Sequence, residues 1–197
     1  MMLKNNTIQT GPRIVGFDMD GVIINHAPNK IMLAKRYAVT LRPEETHSEL
    51  LPGKFPREEY LAFQNMLYGN SDFALSAPLM LGAFDVLHEM KDRGIPFVLI
   101  SRRREPENAI RLLKERKLWG DFFTEANAFF VGTPEEKNVA SVREGVTHFF
   151  DDERKVLRAI PDVKRRFLFD SLRQFNDEDE FERVFDWKML RQIVFEE

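Results

Sequence analysis

Cysteine is missing altogether from this 197-residue chain. Disulfides and thiolate metal sites are thereby excluded, and a reducing, cytoplasmic setting is the default expectation. Long apolar runs are missing too, since none reaches the roughly 18 residues that a membrane-spanning helix needs. The opening segment, MMLKNNTIQTGPR, lacks the apolar centre of a secretory signal. No membrane partner is expected. Nor is there a surplus of one charge. Lys and Arg number 29 against 32 Asp and Glu, a formal net charge of -3, so no global basic field marks nucleic acid as a partner. Histidine is scarce, four in all. His47 and His88 stand at no metal-ligand spacing, and His148 lies inside an apolar pattern and reads as a core or second-layer residue.

What is present is an ordinary globular balance, 43% hydrophobic and 31% charged, in a length that suits one domain with a modest insertion. The 18 Phe read as packing rather than as a platform for stacked bases. Short apolar runs alternate with helical periodicity. The run ending at Phe17 is a buried strand. IPFVLIS, AFFVG, VTHFF and RFLF are four more, separated by helix patterns such as LGAFDVLHEMKDRG, which closes on Gly94. That alternation predicts an α/β fold, with a Rossmann-like three-layer core and a mainly parallel five-stranded sheet. Trp187, in an amphipathic tail helix, is expected to pack that helix on the sheet edge.

The interval between strands one and two is far too long for one crossover helix. Residues 24–76 read as a small helical insertion, leaving 1–23 and 77–197 as the core. Within the insertion, Ile31, Leu33, Ala34, Tyr37 and Ala38 line one helix, and Tyr60, Phe63, Met66 and Leu67 line another after Pro56. LRPEETHSELL is a short helix with Pro43 near its start, and GNSDFALSAP is a loop by composition.

In open α/β sheets, ligands bind beyond the carboxyl ends of the strands. Asp18 and Asp20 follow the first strand. Ser101 and then Arg102, Arg103 and Arg104 follow the second, and Asp151 and Asp152 follow the fourth. Lys137 opens the helix before that fourth strand. Clustered carboxylates repel unless a cation or proton sits among them, and an all-oxygen set of this kind suits Mg2+. Rival acid motifs fit poorly. An EF-hand needs a third acid and a distal Glu at fixed spacing, and both are missing. A sugar-nucleotide transferase would need a nucleotide-binding half ahead of its Asp-x-Asp, where only 17 residues stand.

FDMDGV, then VLIS, then a lysine, then FFDD, in that order, resemble the haloacid dehalogenase (HAD) superfamily of phosphotransferases over about residues 13–170. The resemblance implies a catalytic core with a cap at 24–76. It implies Mg2+-dependent hydrolysis of a small phosphomonoester, with Asp18 as nucleophile and Asp20 as general acid and then base. It also implies Mg2+ held by Asp18, the backbone carbonyl of Asp20, and Asp151 or Asp152. Asp151 is preferred, because strand alternation would turn Asp152 away. Ser101 and Lys137 would bind the phosphoryl oxygens. Apart from the resemblance, at least two of Arg102, Arg103 and Arg104 read as a solvated helix entry, and one, assigned as Arg102, reads as reaching a substrate phosphate or carboxylate. A phosphomutase with the same nucleophile, and a non-catalytic binding protein on this fold, are the alternatives. His26, just past the first motif, reads equally as a surface or a substrate-facing residue.

Overall fold

The computed structural model describes residues 13–69, 71–103, 105–175 and 180–196. Six parallel strands form one sheet in the order β3-β2-β1-β4-β5-β6. They are β1 (Val15–Phe17), β2 (Phe97–Arg102), β3 (Ala128–Val131), β4 (His148–Asp151), β5 (Arg165–Phe169) and β6 (Glu182–Val184). The sixth strand goes beyond the five expected. It spans three residues in an acid-rich stretch, too short to show an apolar pattern, and it is fixed by pairing Phe167 with Glu182 and Phe169 with Val184. β1 lies at the centre, with β2 on one side and β4 on the other. The chain order reverses there, and this is where such sheets open a crevice.

Alternation along the strands sorts two cores. Val15, Phe17, Leu99, Phe150 and Phe167 face one layer, built from α4 (Ala83–Asp92), α5 (Pro106–Glu115) and α8 (Trp187–Glu196). Val98, Ile100, Phe149 and Leu168 face the other, built from α6 (Pro134–Arg143) and α7 (Arg154–Ala159). Gly16 belongs to the second face, where an added Cβ would run into the Phe149 ring. Trp187 is not at the sheet edge. It is fully buried, its ring lies 5.4 Å from that of Phe17, and its Nε1–H donates to the Val22 carbonyl at 2.8 Å. The indole spans from α8 to the centre of the sheet because its one polar group finds a partner in the turn after β1.

Between β1 and α4 the chain leaves the sheet to form α1 (Ala27–Ala34), α2 (Arg57–Tyr68) and α3 (Asp72–Leu75), with 3-10 turns at Lys35–Tyr37, Pro43–Glu45 and Leu51–Lys54. These pieces share an apolar cluster of their own, with Leu33, Leu41, Leu51, Phe55, Phe63 and Leu67 at its centre. Each such burial contributes roughly 1.5–3 kcal/mol. The short helix expected around Pro43 is a single 3-10 turn. The expected loop at GNSDFALSAP contains one turn of helix, because the Ser71 hydroxyl caps it by accepting from Ala74 N–H at 3.1 Å. The two passages between core and insertion are tied together. Asn25 N–H donates to Pro78 O and Met80 N–H to Ile23 O, both at 2.8 Å. Among the described residues no helix is long and apolar enough to cross a membrane.

Candidate active site

β1 and β4 run in register, Phe17 beside Phe150, and Asp18 N–H donates to Phe150 O at 2.9 Å. The next residues, Asp18 and Asp151, are therefore neighbours at adjacent strand ends, and the alternation that turns Gly16 and Phe149 toward α6 turns both carboxylates the same way. Lys137 waits there, in the opening of α6. Its helix starts with Pro134 and a reciprocal cap between Thr133 and Glu136. Lys137 Nζ donates to Asp18 Oδ1 at 2.6 Å and to Asp151 Oδ2 at 2.7 Å. Lys137 and Asp151 are each 1% exposed and Asp18 7%, so this is a dry ionic group in which one ammonium faces two carboxylates. Burial penalises the ammonium, yet Asp151 and Asp18 outweigh it and hold Lys137 above the usual lysine range. Burial raises Asp18 against the pull of Lys137. Burial, with the Asp18 charge adding to it against the pull of Lys137, pushes Asp151 up to about 7.

A third acid completes the group. Asp18, Asp151 and Asp152 each offer an oxygen within 4.8 Å of the others. Asp152 was expected to point away and does not. It lines the same cavity as Asp18, Asp20 and Asp151. Strand alternation stops with β4 at Asp151, and the next residue is set by its neighbours instead. The Asp152 carbonyl accepts from His47 Nε2–H at 2.8 Å, while its carboxylate packs on Gly21. Gly21 has φ +86° and any Cβ there would collide with the Asp152 carboxylate, so only glycine fits. The two oxygens of Asp151 are engaged by Lys137 and by the Glu153 N–H at 2.9 Å. Among the described residues the Asp152 carboxylate has no such partner at contact distance. The basic nitrogen nearest to it there is His47 Nε2, 3.8 Å from Oδ2, and burial keeps that imidazole below the usual histidine range. Burial first, then Asp151 and Glu153, drive Asp152 well above the usual carboxylate range. Three oxygen donors with less than their share of positive charge suit a hard divalent cation.

The uncompensated acids have a consequence for stability. Asp151 at about 7 in the folded protein, against about 3.9 in an unfolded chain, binds more protons folded than unfolded. Stability then rises as pH falls from above 7 toward 4. His26 and His47, held below the usual histidine range, work the other way between pH 8 and pH 6, so the share of the acid site is read against Asp151→Asn. In EDTA the parent is expected to gain more melting temperature, or lose less, from pH 8 to pH 6 than that variant does, and Mg2+ is expected to narrow the difference. Scanning calorimetry measures both; the same pH dependence in parent and variant would contradict an undercompensated site.

Asp20 lies past the strand, in a turn where Ile23 and Ile24 N–H donate to Met19 O at 3.0 and 2.8 Å. Its Oδ1 accepts from His26 Nε2–H at 2.6 Å and from an Arg103 guanidinium N–H at 2.7 Å. Burial opposes the Asp20 charge, but Arg103 and His26 prevail and hold it well below the usual carboxylate range. His26 is buried and, chiefly for that reason, lowered; it is the neutral donor of the pair. The Arg103 guanidinium lies over the Tyr68 ring at 4.5 Å, and the His26 ring meets Tyr68 edge-on at 5.1 Å. Tyr68, the last residue of α2, thus packs on both groups that hold Asp20.

The arginine expected at the phosphate, Arg102, lines the cavity and donates to Glu153 at 2.6 Å; Arg103, also in the lining, donates to Asp20. Arg104 lies outside the described residues. Ser101 is where it was expected, at the end of β2, 1% exposed, with a buried hydroxyl that has no hydrogen-bond partner among the described residues. Residues the sequence did not single out also converge. Lys30 on α1 is buried and donates from Nζ to Thr46 O at 2.9 Å, one helical turn after His26. Glu49 and Arg154 pair at 2.6 Å, joining the insertion to the acid-bearing loop. Asp18, Asp20, Lys30, Ser101, Lys137 and Asp152 are among the groups that line a cavity of about 300 Å³ between the strand ends and α2.

No protein-family model matches the sequence, and no curated protein is similar to it. Solved structures are similar over nearly the whole chain. A HAD family hydrolase of Deinococcus radiodurans R1 with bound phosphate and sodium matches with a TM-score of 0.64 at 16% identity, over 95% of this chain and 97% of that one. A HAD-superfamily hydrolase of Ehrlichia chaffeensis matches at 0.63 and 15%, over 96% and 98%. A protein of Bacillus subtilis described as a HAD hydrolase, bound to magnesium, matches at 0.61 and 15%, over 93% and 99%. At these identities the likeness establishes the fold. The chain has the α/β fold of the HAD hydrolases.

Proposed function

We propose that this chain is a Mg2+-dependent phosphohydrolase of the HAD type, releasing inorganic phosphate from a small phosphomonoester through an aspartyl-phosphate on Asp18. The observation that carries the reading is the buried Asp18–Lys137–Asp151 group at the reversal point of the sheet, with Nζ 2.6 and 2.7 Å from the two acids. A carboxylate fixed by a lysine, beside further unneutralised acids and an unpartnered hydroxyl, is arranged to attack an anion and not merely to stabilise a fold. Asp18, Asp151 and Asp152, with the backbone carbonyl of Asp20, would hold Mg2+. When bound, the ion neutralises phosphate and carboxylate charge that would otherwise repel.

The chain's own groups divide the remaining work. Lys137 and the Ser101 hydroxyl orient the phosphoryl oxygens. An Asp18 oxygen forms the bond to phosphorus as the ester oxygen leaves, and Asp20 supplies the proton that the leaving oxygen takes up. Asp20 then removes a proton from water, which attacks the aspartyl-phosphate and frees phosphate and Asp18. In the ligand-free arrangement Arg103 and His26 keep Asp20 ionised. A phosphate dianion entering beside it competes for Arg103, and that exchange lifts Asp20 toward proton-carrying range, so that it takes up from solvent the proton it later gives to the leaving oxygen. The helical insertion acts as a cap that excludes water from these steps.

The test is phosphate release from a panel of phosphomonoesters. Release is expected with Mg2+, abolished by EDTA and restored by added Mg2+, with no bisphosphate required. A phosphomutase would need a bisphosphate and release little phosphate. Absence of any Mg2+-dependent release or transfer would favour a binding role and end the enzymatic reading.

A further inference from the structure

We infer that the leaving-group side of this cavity takes an uncharged, ring-bearing alcohol. The substrate is then a phosphomonoester carrying an aromatic or heteroaromatic ring and no second anionic group, in preference to a simple sugar phosphate or a bisphosphate. This rests on the phosphohydrolase reading and deepens it.

The wall opposite the acids comes mainly from α2. Tyr60, Gln64, Leu67 and Tyr68 all line the cavity, and their spacing of four, three and one places them on one face of that helix. Leu51 and Phe63 back the same wall. The uncharged polar groups there are Ser48, the Tyr60 and Tyr68 hydroxyls, and Gln64, whose amide N–H donates to the Tyr60 hydroxyl at 3.1 Å. Polyol hydroxyls set against Leu51, Phe63 and Leu67 would find no partner there, and desolvated hydroxyls without partners are costly. A flat ring loses nothing there. The Tyr68 ring is already covered by Arg103 and edged by His26; Tyr60, half-buried two helical turns earlier, is backed by Phe63 and Phe55 at 6.4 and 6.3 Å and lines the cavity, so it is the ring we assign to the ligand.

Charge points the same way. Among the described residues lining the cavity, Lys137 is committed to Asp18 and Asp151, Arg103 to Asp20, and Arg102 to Glu153. Lys30 donates to Thr46 O, and its charge faces Asp152 and Asp20. Lys137 and Arg103 are also the groups that meet the transferring phosphoryl group, and the α2 residues of the wall present no cation for a second phosphate or a carboxylate. A volume of about 300 Å³ is at the small end for ligand sites, enough for one phosphate and a modest body.

Matched esters of primary alcohols test this without confounding by leaving-group reactivity. Uridine 5′-monophosphate is compared with ribose 5-phosphate, and benzyl phosphate with glucose 6-phosphate, with fructose 1,6-bisphosphate as the doubly charged case. With Mg2+ the ring-bearing member of each pair is expected to show kcat/KM about tenfold higher or more, the scale of one ring-stacking contact. Tyr60→Ala should bring each ratio toward unity, and Tyr60→Phe should preserve it. Equal or faster turnover of the polyol esters, or preference for the bisphosphate, overturns the inference and leaves the phosphohydrolase reading intact. If no ester is hydrolysed, that reading fails, and calorimetric titration of the same compounds decides the inference: tighter binding of the ring-bearing members upholds it, equal or undetectable binding refutes it.

Discussion

Asp18→Asn is expected to abolish phosphate release, lowering kcat at least about 10⁴-fold, while leaving the metal-free protein as stable as the parent or more so. The two halves have one cause. Asn keeps the shape and the acceptor oxygen of Asp but loses the anion that attacks phosphorus. It also removes one of two carboxylates sharing a single ammonium, since Lys137 lies 2.6 Å from Asp18 and 2.7 Å from Asp151. Lys137 and Asp151 then form a one-to-one pair, and the repulsion between two buried acids disappears. Phosphate-release kinetics and calorimetry in EDTA measure the two effects. Label from a phosphorus-labelled substrate should become covalently attached to the parent in a hydroxylamine-labile form, and not to the variant. Mg2+-dependent turnover that survives Asp18→Asn would remove Asp18 from the chemistry. A large loss of stability would show that the site is not undercompensated.

What could be read from the sequence is what depends on position along a strand. Asp18, Ser101 and Asp151 were legible because each ends an apolar run, and the ends of parallel strands meet at one edge. Lys137 was legible because it opens the helix that precedes β4. What could not be read depends on contacts made across the chain. Arg102 and Arg103 stand at the end of β2 and both line the cavity, so which acid each one meets is settled by Asp20 and Tyr68 on one side and Glu153 on the other. Asp152 defied strand alternation because the strand had already ended. His26 carries no local signal that it will be buried against Asp20; the fold of the insertion puts it there. β6 and the turn of helix at α3 were hidden by brevity, and Trp187 by a hydrogen bond to Val22 O that no periodicity encodes. Residues that deliver charge to the site announce themselves in the sequence; residues that tune it do so only in the structure.

Lys137→Met should have the opposite effect on stability and the same direction of effect on activity. Methionine fills much of the lysine stem's volume, so packing against Phe149, whose ring lies 5.5 Å from Nζ, is largely kept. What goes is the charge. Asp18 and Asp151 would then face each other almost wholly buried, without a cation between them. Removing one partner of a buried ion pair costs about 3–5 kcal/mol, and at about 2–4 °C per kcal/mol for a chain of this size the metal-free melting temperature should fall by roughly 10 °C. Three conditions should recover part of that loss by separate routes. Mg2+ supplies positive charge, lower pH protonates the acids, and adding Asp18→Asn removes one of them. Phosphate release should fall about 10²–10³-fold even with saturating Mg2+, the usual cost of losing an oriented donor to a transferring phosphoryl group. A variant harmed by poor packing would lose stability without being rescued by metal, acid or Asp18→Asn. If Lys137→Met melts in EDTA at the parent's temperature, the acids are already neutralised by protons, and the ionic group at the centre of the proposed mechanism does not exist in the resting protein.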